Sequence, residues 1–114
     1  MSRKNATVLA FGNYRAKPRT LYFTRAELNQ LLGLYSRQVA RGMWRDYAID
    51  HREGMALFSV FRHTHEAPVY RIVKTAPAEF TIQSGRQRLR VAASLSEALK
   101  FFQTRLTLVA AERG

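Results

Sequence analysis

Apolar residues recur at helical spacing in the first half of the chain. They are Leu28, Leu31, Leu32, Tyr35, Val39 and Met43. Side chains at this spacing form one stripe along an amphipathic helix. Thr24 and Glu27 have the spacing of a capping box ahead of the stripe, and Gly42 tolerates the left-handed conformation of a C-terminal stop. The pattern predicts a first helix between Thr24 and Gly42.

After this helix the hydrophobic period changes from 3.6 to 2, which is typical of strands. Gly54 and Gly85 each favour a hairpin turn, and Pro77 separates two further segments. The predicted strands are 46–50, 55–62, 69–75, 79–83 and 87–92. Phe58 and Phe61 have opposite parity on one strand, so apolar side chains occupy both faces of the sheet and indicate a second face that is covered in part.

A second capping box, Ser94 with Glu97, precedes a second helical stripe. The stripe consists of Leu95, Ala98, Leu99, Phe102, Leu106 and Val109. The order of helix, antiparallel meander of four to five short strands, and helix predicts one α+β domain over residues 20–110, with both helices packed on one face of the sheet. Residues 1–19 predict a basic flexible arm in which residues 8–11 can dock or pair as a short strand, and residues 111–114 form a tail.

Charge changes this picture from a generic small domain to one suited to anionic partners. The chain has 19 Lys and Arg against 8 Asp and Glu, a net charge of +11. Residues 1–23 hold five cations and no acid, whereas residues 46–66 hold four acids against two arginines. A cationic protein concentrates nucleic acid, acidic proteins or membrane surfaces. A GC-rich genome accounts for arginine in place of lysine but not for the shortage of acids.

Cellular compartment follows from what the sequence lacks. It has no cysteine, which excludes disulfides and thiolate metal ligands and fits a reducing cytoplasm. Its uncharged apolar runs are far shorter than the roughly 20 residues of a membrane span. The start of the chain has no long apolar region of a secretion signal. We therefore expect a cytoplasmic protein with no membrane partner.

Several motifs in residues 20–75 are shared with a known family. The stretch FTRAELNQLLGLYSRQVARGMWRDYAID, followed by ALFSVFR and PVYRIVK, resembles a family of short alphaproteobacterial proteins known only as a domain of unknown function. The most specific segments are 27–29, 44–50, 58–62 and 70–72. The likeness is weaker from Phe80 onward. It implies a bacterial, cytoplasmic protein, and it brings no activity, cofactor or catalytic residue.

The last predicted strand carries arginine at alternate positions, Arg86, Arg88 and Arg90. If Leu89 and Val91 face the core, the arginines project together from the other face about 7 Å apart, close to the spacing of successive phosphates. Arg71 and Lys74 extend the same predicted surface. The alternative is a solvated strand whose charges prevent edge-to-edge aggregation.

Two further sets of cations are candidates for anion binding. Arg37, Arg41 and Arg45 recur every four residues as a ridge on the first helix, although the helix dipole alone favours cations near a C-terminus. The arm contributes the cations Arg15, Lys17 and Arg19. A basic flexible arm is a common device for non-specific nucleic-acid contact.

Catalysis and metal binding have weaker support. Asp46 and Asp50 lie about 13 Å apart along a strand, too far to cooperate, and are expected to pair with Arg45, Arg52 or Arg62. A candidate metal site is formed by His51, His63, His65 and Glu66, although residues 63–68 are also typical of a turn. The aromatic set Trp44, Tyr47, Phe58, Phe61 and Tyr70 is expected in the core, with an exposed stacking platform as the alternative.

Together these patterns predict a small non-catalytic protein that binds neither a metal ion nor a cofactor. It is expected to associate with RNA or DNA through phosphate contacts with little sequence readout, as a monomer or homodimer. The alternative is a regulatory or adaptor module whose partner is an acidic protein or a second copy of the chain.

Overall fold

The computed structural model describes residues 20–63 and 66–103 of the chain. The elements are α1 (Arg25–Ala40), β1 (Asp46–Arg52), β2 (Met55–Phe61), β3 (Tyr70–Ala76), β4 (Glu79–Ser84), β5 (Gln87–Ala92) and α2, described over residues 95–103. The predicted α+β order is confirmed. The predicted arm, with its segment 8–11, and the predicted tail lie outside the described residues, as do Leu106 and Val109 of the second stripe.

Both ends of α1 form as the sequence predicts. The Thr24 hydroxyl accepts the Glu27 N–H at 3.1 Å, and a Glu27 carboxylate oxygen accepts the Thr24 N–H at 2.8 Å. At the other end Gly42 has φ 74°, and the Met43 N–H donates to the Gln38 carbonyl at 2.9 Å. These bonds satisfy backbone groups that the helix leaves unpaired, so the local motifs fix where α1 begins and ends.

The buried side of α1 differs from the predicted stripe near the C-terminus. The side chains of Leu31, Leu34 and Gln38 are buried, whereas Val39 and Met43 are each 42% exposed. The helix ends at Ala40 and the chain turns away at Gly42, so Trp44 enters the core instead. Helical spacing no longer decides which residue is buried once the helix has ended.

The five strands form one antiparallel meander in the order β1-β2-β3-β4-β5. One side of the sheet, termed here the helix face, carries Phe58, Val60, Ile72, Phe80 and Ile82. These residues form the core with Leu31 and Leu34 of α1 and with Leu95, Ala98 and Phe102 of α2. The prediction that both helices pack on one face is confirmed.

The other side of the sheet is termed the opposite face. Leu57, Val73 and Thr81 are register neighbours at its centre and are all buried, as is Ser59 beside them. Val91, at the outer strand, is 50% exposed. Phe58 and Phe61 fall on different faces, as their parity predicts.

Candidate functional site

A β-bulge in β5 separates the arginines of the basic strand. Ile82 pairs with Arg90 but Gln83 pairs with Arg88, which leaves Leu89 as the extra residue. An extra residue reverses the alternation of side chains beyond it. Arg90 therefore lies on the helix face and Arg88 on the opposite face. The prediction that Arg86, Arg88 and Arg90 share one surface is wrong for this reason.

The guanidinium group of Arg90 makes a structural contact with the second helix. Its Nη1 donates to the carbonyl oxygen of Glu97 in α2 at 3.0 Å, and Leu89 beside it packs against the core. The Glu97 side chain pairs with Lys100 at 2.8 Å. That hydrogen bond and charge, with a smaller effect from Arg90, lower the pKa of the Glu97 carboxyl. Arg90 thus joins the edge strand to the second helix.

Lys74 is also withdrawn from the predicted anion-binding surface. It lies three residues from Arg71 on one strand and therefore on the other face of the sheet. Its side chain is buried, and Nζ donates to Glu27 Oε1 at 2.7 Å and to the Tyr22 carbonyl at 2.9 Å. Nζ also lies 5.7 Å from the centre of the Phe80 ring. A buried, paired ammonium is not available to a ligand, so Lys74 ties β3 to the start of α1.

Six other arginines lie at one end of the molecule, termed here the basic end. In the antiparallel meander, β1, β3 and β5 begin at this end, β2 and β4 finish there, and the chain arrives from the C-terminus of α1. The basic end is formed by Arg41, Arg45, Arg62, Arg71, Arg86 and Arg88. The fold therefore brings together cations that are far apart in sequence.

Two of these arginines share a row on the opposite face. The register joins Ser59, Arg71, Gln83 and Arg88 across β2 to β5. Arg71 and Arg88 are two strands apart, which corresponds to about 10 Å between their backbones. Arg88 is exposed and Arg71 is half-buried. Arg86 lies in the turn that precedes this part of β5, so the row continues to the rim of the sheet.

Arg45 and Arg62 meet at the open end of the β1–β2 hairpin. Asp46 pairs with Phe61, and the Arg45 N–H donates to the Phe61 carbonyl at 2.7 Å, which places Arg45 beside Arg62. Both side chains are exposed. With Val39, Gly42, Trp44 and His63 they line a cleft of about 560 Å³. No carboxylate is among these lining residues.

The predicted ridge Arg37–Arg41–Arg45 does not form on a single helix. The helix ends at Ala40, Arg41 is its C-cap, and Arg45 lies beyond it next to β1. Arg37 instead lines a groove of about 570 Å³ between the two helices, together with Asn29, Gly33 and Lys100. Arg41 and Arg45 are thus part of the basic end, whereas Arg37 borders a different surface.

Within residues 20–63 and 66–103, the arginines of the basic end form no ion pair with a carboxylate. The ion pairs between residues of the described part of the chain are Lys74–Glu27 and Lys100–Glu97, and neither involves arginine. The prediction that Asp46 and Asp50 pair with Arg45, Arg52 or Arg62 is therefore wrong. Asp46 instead accepts the Tyr47 N–H at 2.8 Å. An unpaired guanidinium keeps its whole charge and its hydrogen-bonding fork for a ligand.

Acidic residues are concentrated at the other end of the sheet. Glu27, Asp50, Glu53 and Glu79 lie there, together with Arg25 and Arg52. Asp46 and Glu66 are nearer the basic end, but neither comes within 4.0 Å of a described arginine nitrogen. The acidic segment 46–66 is thus divided between the two ends, and the end remote from the basic end carries four of the described acidic residues.

Arg62 and His63 belong to the cleft although the sequence interpretation did not include them among the anion-binding residues. The signal was present in the turn at Gly54. A hairpin closed between Arg52 and Met55 sets the register of both strands, and continuing that register pairs position 45 with position 62. Counting outward from the turn identifies Arg62 as the neighbour of Arg45.

The other predicted sites have different outcomes. His51 lies at the end of the sheet remote from His63, and its ring centroid is 4.5 Å from that of Tyr22. Within residues 20–63 and 66–103, no group of three His, Asp or Glu side chains could hold a metal ion.

The predicted aromatic set is divided between core and surface. Trp44 and Phe58 are buried in the core, and the Tyr47 ring stacks on the Phe58 ring with 5.3 Å between their centroids. Residues Arg15, Lys17, Arg19 and His65 lie outside the described part.

The comparisons with known proteins identify the family. The family described as Protein of unknown function (DUF2794) matches residues 21–88, more than half of the chain, and the protein belongs to this family. The match extends beyond the resemblance expected over residues 20–75 and includes Arg86 and Arg88. Neither the curated proteins nor the solved structures gave a match. In the part that the structure describes, no helix is long and apolar enough to cross a membrane.

Proposed function

We propose that this member of the family is a non-catalytic protein that associates with RNA or DNA through its basic end. One observation carries the proposal: arginines from the C-terminal cap of α1, from β3 and β5 and from the segments that flank the strands converge at one end, and none is paired with a carboxylate among the residues described. Arginine donates two parallel hydrogen bonds to a phosphate group, which suits a polyanionic backbone. The cysteine-free composition fits the bacterial cytoplasm, where we place the protein.

The mechanism is neutralisation of phosphates with release of condensed counterions. Each phosphate neutralised on duplex DNA contributes about −0.9 to the slope of log affinity against log salt concentration. Arg71, Arg86 and Arg88 form a row that follows one backbone, while Arg45 and Arg62 form a second group at the hairpin end. Contacts to phosphates position a nucleic acid but carry no sequence information. Binding is therefore strongly salt-dependent and weakly selective for sequence.

The test is a titration against labelled single-stranded and double-stranded RNA and DNA at several salt concentrations. The variant Arg86→Gln/Arg88→Gln removes two charges from the basic end. Its matched control is Arg25→Gln/Arg52→Gln, which removes the same charge from two exposed arginines at the other end. The first variant is expected to lower the salt slope by about 1 to 2, and the control by less. Equal losses in both variants would show that net charge alone drives binding and would contradict a localised site.

A second candidate function is an adaptor that binds an acidic protein or another copy of itself. The observation that favours it is the outer strand β1, where Tyr47 and Ile49 are each 38% exposed. An outer strand with exposed apolar side chains can pair with a strand of another chain. Light scattering tests the self-associating form of this adaptor, because a protein that is monomeric at all concentrations has no partner in a second copy of itself.

A further inference from the structure

Arg45 and Arg62 line a half-open cleft at the basic end. It lies between the C-terminus of α1 and the open end of the β1–β2 hairpin, with Gly42, Trp44 and His63 around it. Elsewhere the basic end is a row of side chains on an open sheet surface. A cavity of about 560 Å³ is large enough for a small ligand. The geometry thus allows one anionic group to be held by several donors at once.

The positive charges of Arg45 and Arg62 lie side by side, and like charges opposite each other in an antiparallel pair are destabilising. The negative end of the α1 dipole offsets part of the repulsion, since the cleft adjoins the helix C-terminus. The offset is limited to the last turn and is screened by salt. A bound dianion would offset this repulsion, because both guanidinium groups would face negative charge. The C-terminal end of the helix disfavours an anion, so the two guanidinium groups and not the helix must supply the binding.

We propose that this cleft binds a phosphomonoester, the terminal phosphate of a nucleic-acid strand or of a nucleotide. The charge of the ligand decides between the two kinds of phosphate. A phosphomonoester with a second pKa of about 6 is largely dianionic at neutral pH, whereas an internal phosphodiester carries a single charge. Arg45 and Arg62 supply two planar forks for its oxygens, and His63 adds a ring N–H.

The residues around the two arginines limit the contacts that are available to the rest of the ligand. Trp44 lines the cavity but is only 6% exposed, so its ring is not open for base stacking. Val39 is exposed at the wall and offers an apolar contact for a sugar or base edge. Recognition therefore centres on the phosphate group, which makes inorganic phosphate a sufficient probe.

The first experiment titrates inorganic phosphate at about pH 7.5, where the dianion predominates, and follows backbone amide shifts of the full chain. Saturable shifts are expected at Gly42, Arg45, Arg62 and His63. Arg45→Gln and Arg62→Gln should each weaken binding about tenfold, whereas Arg52→Gln at the other end should leave it unchanged. Arg45→Lys keeps the charge but removes the fork, and an intermediate loss is expected. Circular dichroism checks that each variant is folded.

The second experiment identifies the source of the phosphate, and its link to nucleic acid rests on the proposed function. It compares oligonucleotides of one sequence with a 5′-phosphate and a 5′-hydroxyl, and a mononucleotide with the same base. We expect the phosphorylated strand to bind about fivefold to tenfold more tightly, a difference that Arg62→Gln removes. A mononucleotide that binds as tightly as the phosphorylated strand supports the subsite and assigns a small phosphate ester as its ligand.

The failures of the two proposals are distinguishable. Equal affinity for phosphorylated and hydroxyl strands, with no saturable phosphate shifts, overturns the subsite even when salt-dependent nucleic-acid binding remains. Phosphate binding that needs Arg45 and Arg62, with no effect of Arg86→Gln/Arg88→Gln on any oligonucleotide, supports the subsite and contradicts the extended phosphate contacts. Unchanged phosphate affinity in Arg45→Gln and Arg62→Gln also overturns the subsite.

Discussion

The ammonium of Lys74 and the carboxylate of Glu27 form a buried ion pair with 2.7 Å between Nζ and Oε1. The same Glu27 oxygen accepts the Thr24 N–H at 2.8 Å and so completes the capping box of α1. Side chains that stabilise the start of a helix usually act locally. Here one of them also fixes the helix to the middle of the sheet, with 5% of the Lys74 side chain and 15% of the Glu27 side chain exposed.

Replacement of Glu27 and replacement of Lys74 are expected to lower the free energy of unfolding by different amounts. Glu27→Gln keeps a side chain able to accept the Thr24 N–H but leaves Lys74 buried without a counter-charge, a loss of about 3 kcal/mol. Lys74→Met leaves a carboxylate that still caps the helix near its positive end, and we expect a smaller loss of about 1 to 2 kcal/mol. Urea unfolding measures both free energies. A Lys74→Met loss equal to or larger than that of Glu27→Gln would contradict this order.

The ion pair also shows which features are readable from a sequence. The Thr24–Glu27 box and the stop at Gly42 involve residues within a few positions of each other, so their spacing predicts them. Lys74 and Glu27 are separated by 47 positions, and only the packing of α1 on β3 brings them together. A lysine in a strand of mixed polarity is ordinarily interpreted as a solvated residue.

The bulge at Leu89 marks a second limit of sequence interpretation. Bulges often coincide with glycine, but the segment from Gln87 to Ala92 contains neither glycine nor proline. The alternation in β5 therefore predicts one arginine surface, and the extra residue divides it. The turn at Gly54 predicts that Arg45 and Arg62 are neighbours. The placement of Arg71 and Arg88 in one row was hidden, because it depends on the register of three strands together.

Arg88 and Arg90 provide a direct test of the bulge. Arg90→Gln loses the hydrogen bond from Nη1 to the Glu97 carbonyl, so we expect about 1 kcal/mol less stability and little change in the salt slope of nucleic-acid binding. Arg88→Gln alters an exposed side chain with no such contact, so the slope should fall by about 1 with stability unchanged. Unfolding curves and salt titrations of both variants check this reversal. Identical behaviour of the two variants would mean that both arginines share one surface.

Gly33 and Gly42 should respond in opposite directions to replacement by alanine. Gly33 lies inside α1, where an added Cβ would meet Arg37 Nη1 at 3.6 Å, an ordinary contact. Gly33→Ala is therefore expected to stabilise the protein by about 0.5 to 1 kcal/mol. Gly42 has φ 74°, and Gly42→Ala is expected to cost about 1 kcal/mol or more.

Thermal unfolding of both glycine variants provides the measurement, and circular dichroism at low temperature controls for a changed fold. A Gly33→Ala variant that is less stable than the parent protein would contradict the expectation that α1 accommodates a methyl group at this position.

Tyr35 should give the protein a component of stability that disappears at alkaline pH. Its hydroxyl donates to the Arg45 carbonyl at 3.0 Å. Burial first, and then the charges of Asp46 and Tyr47, raise the pKa of Tyr35 above its ordinary value of 10.0. The folded state therefore holds the phenolic proton more tightly than the unfolded state does. This contribution is complete below the unfolded pKa and is lost as pH rises through the folded pKa.

Tyr35→Phe removes the hydrogen bond and is expected to cost about 1 kcal/mol at neutral pH. The variant has no phenol to ionise at this position, so the stability difference from the parent protein should stay constant at lower pH and narrow as pH rises above the ordinary tyrosine pKa of 10.0. Urea unfolding of both proteins across this range measures the difference, and Tyr22→Phe, at an exposed tyrosine, serves as the control. A difference that stays constant with pH would show that folding does not alter the ionisation of Tyr35.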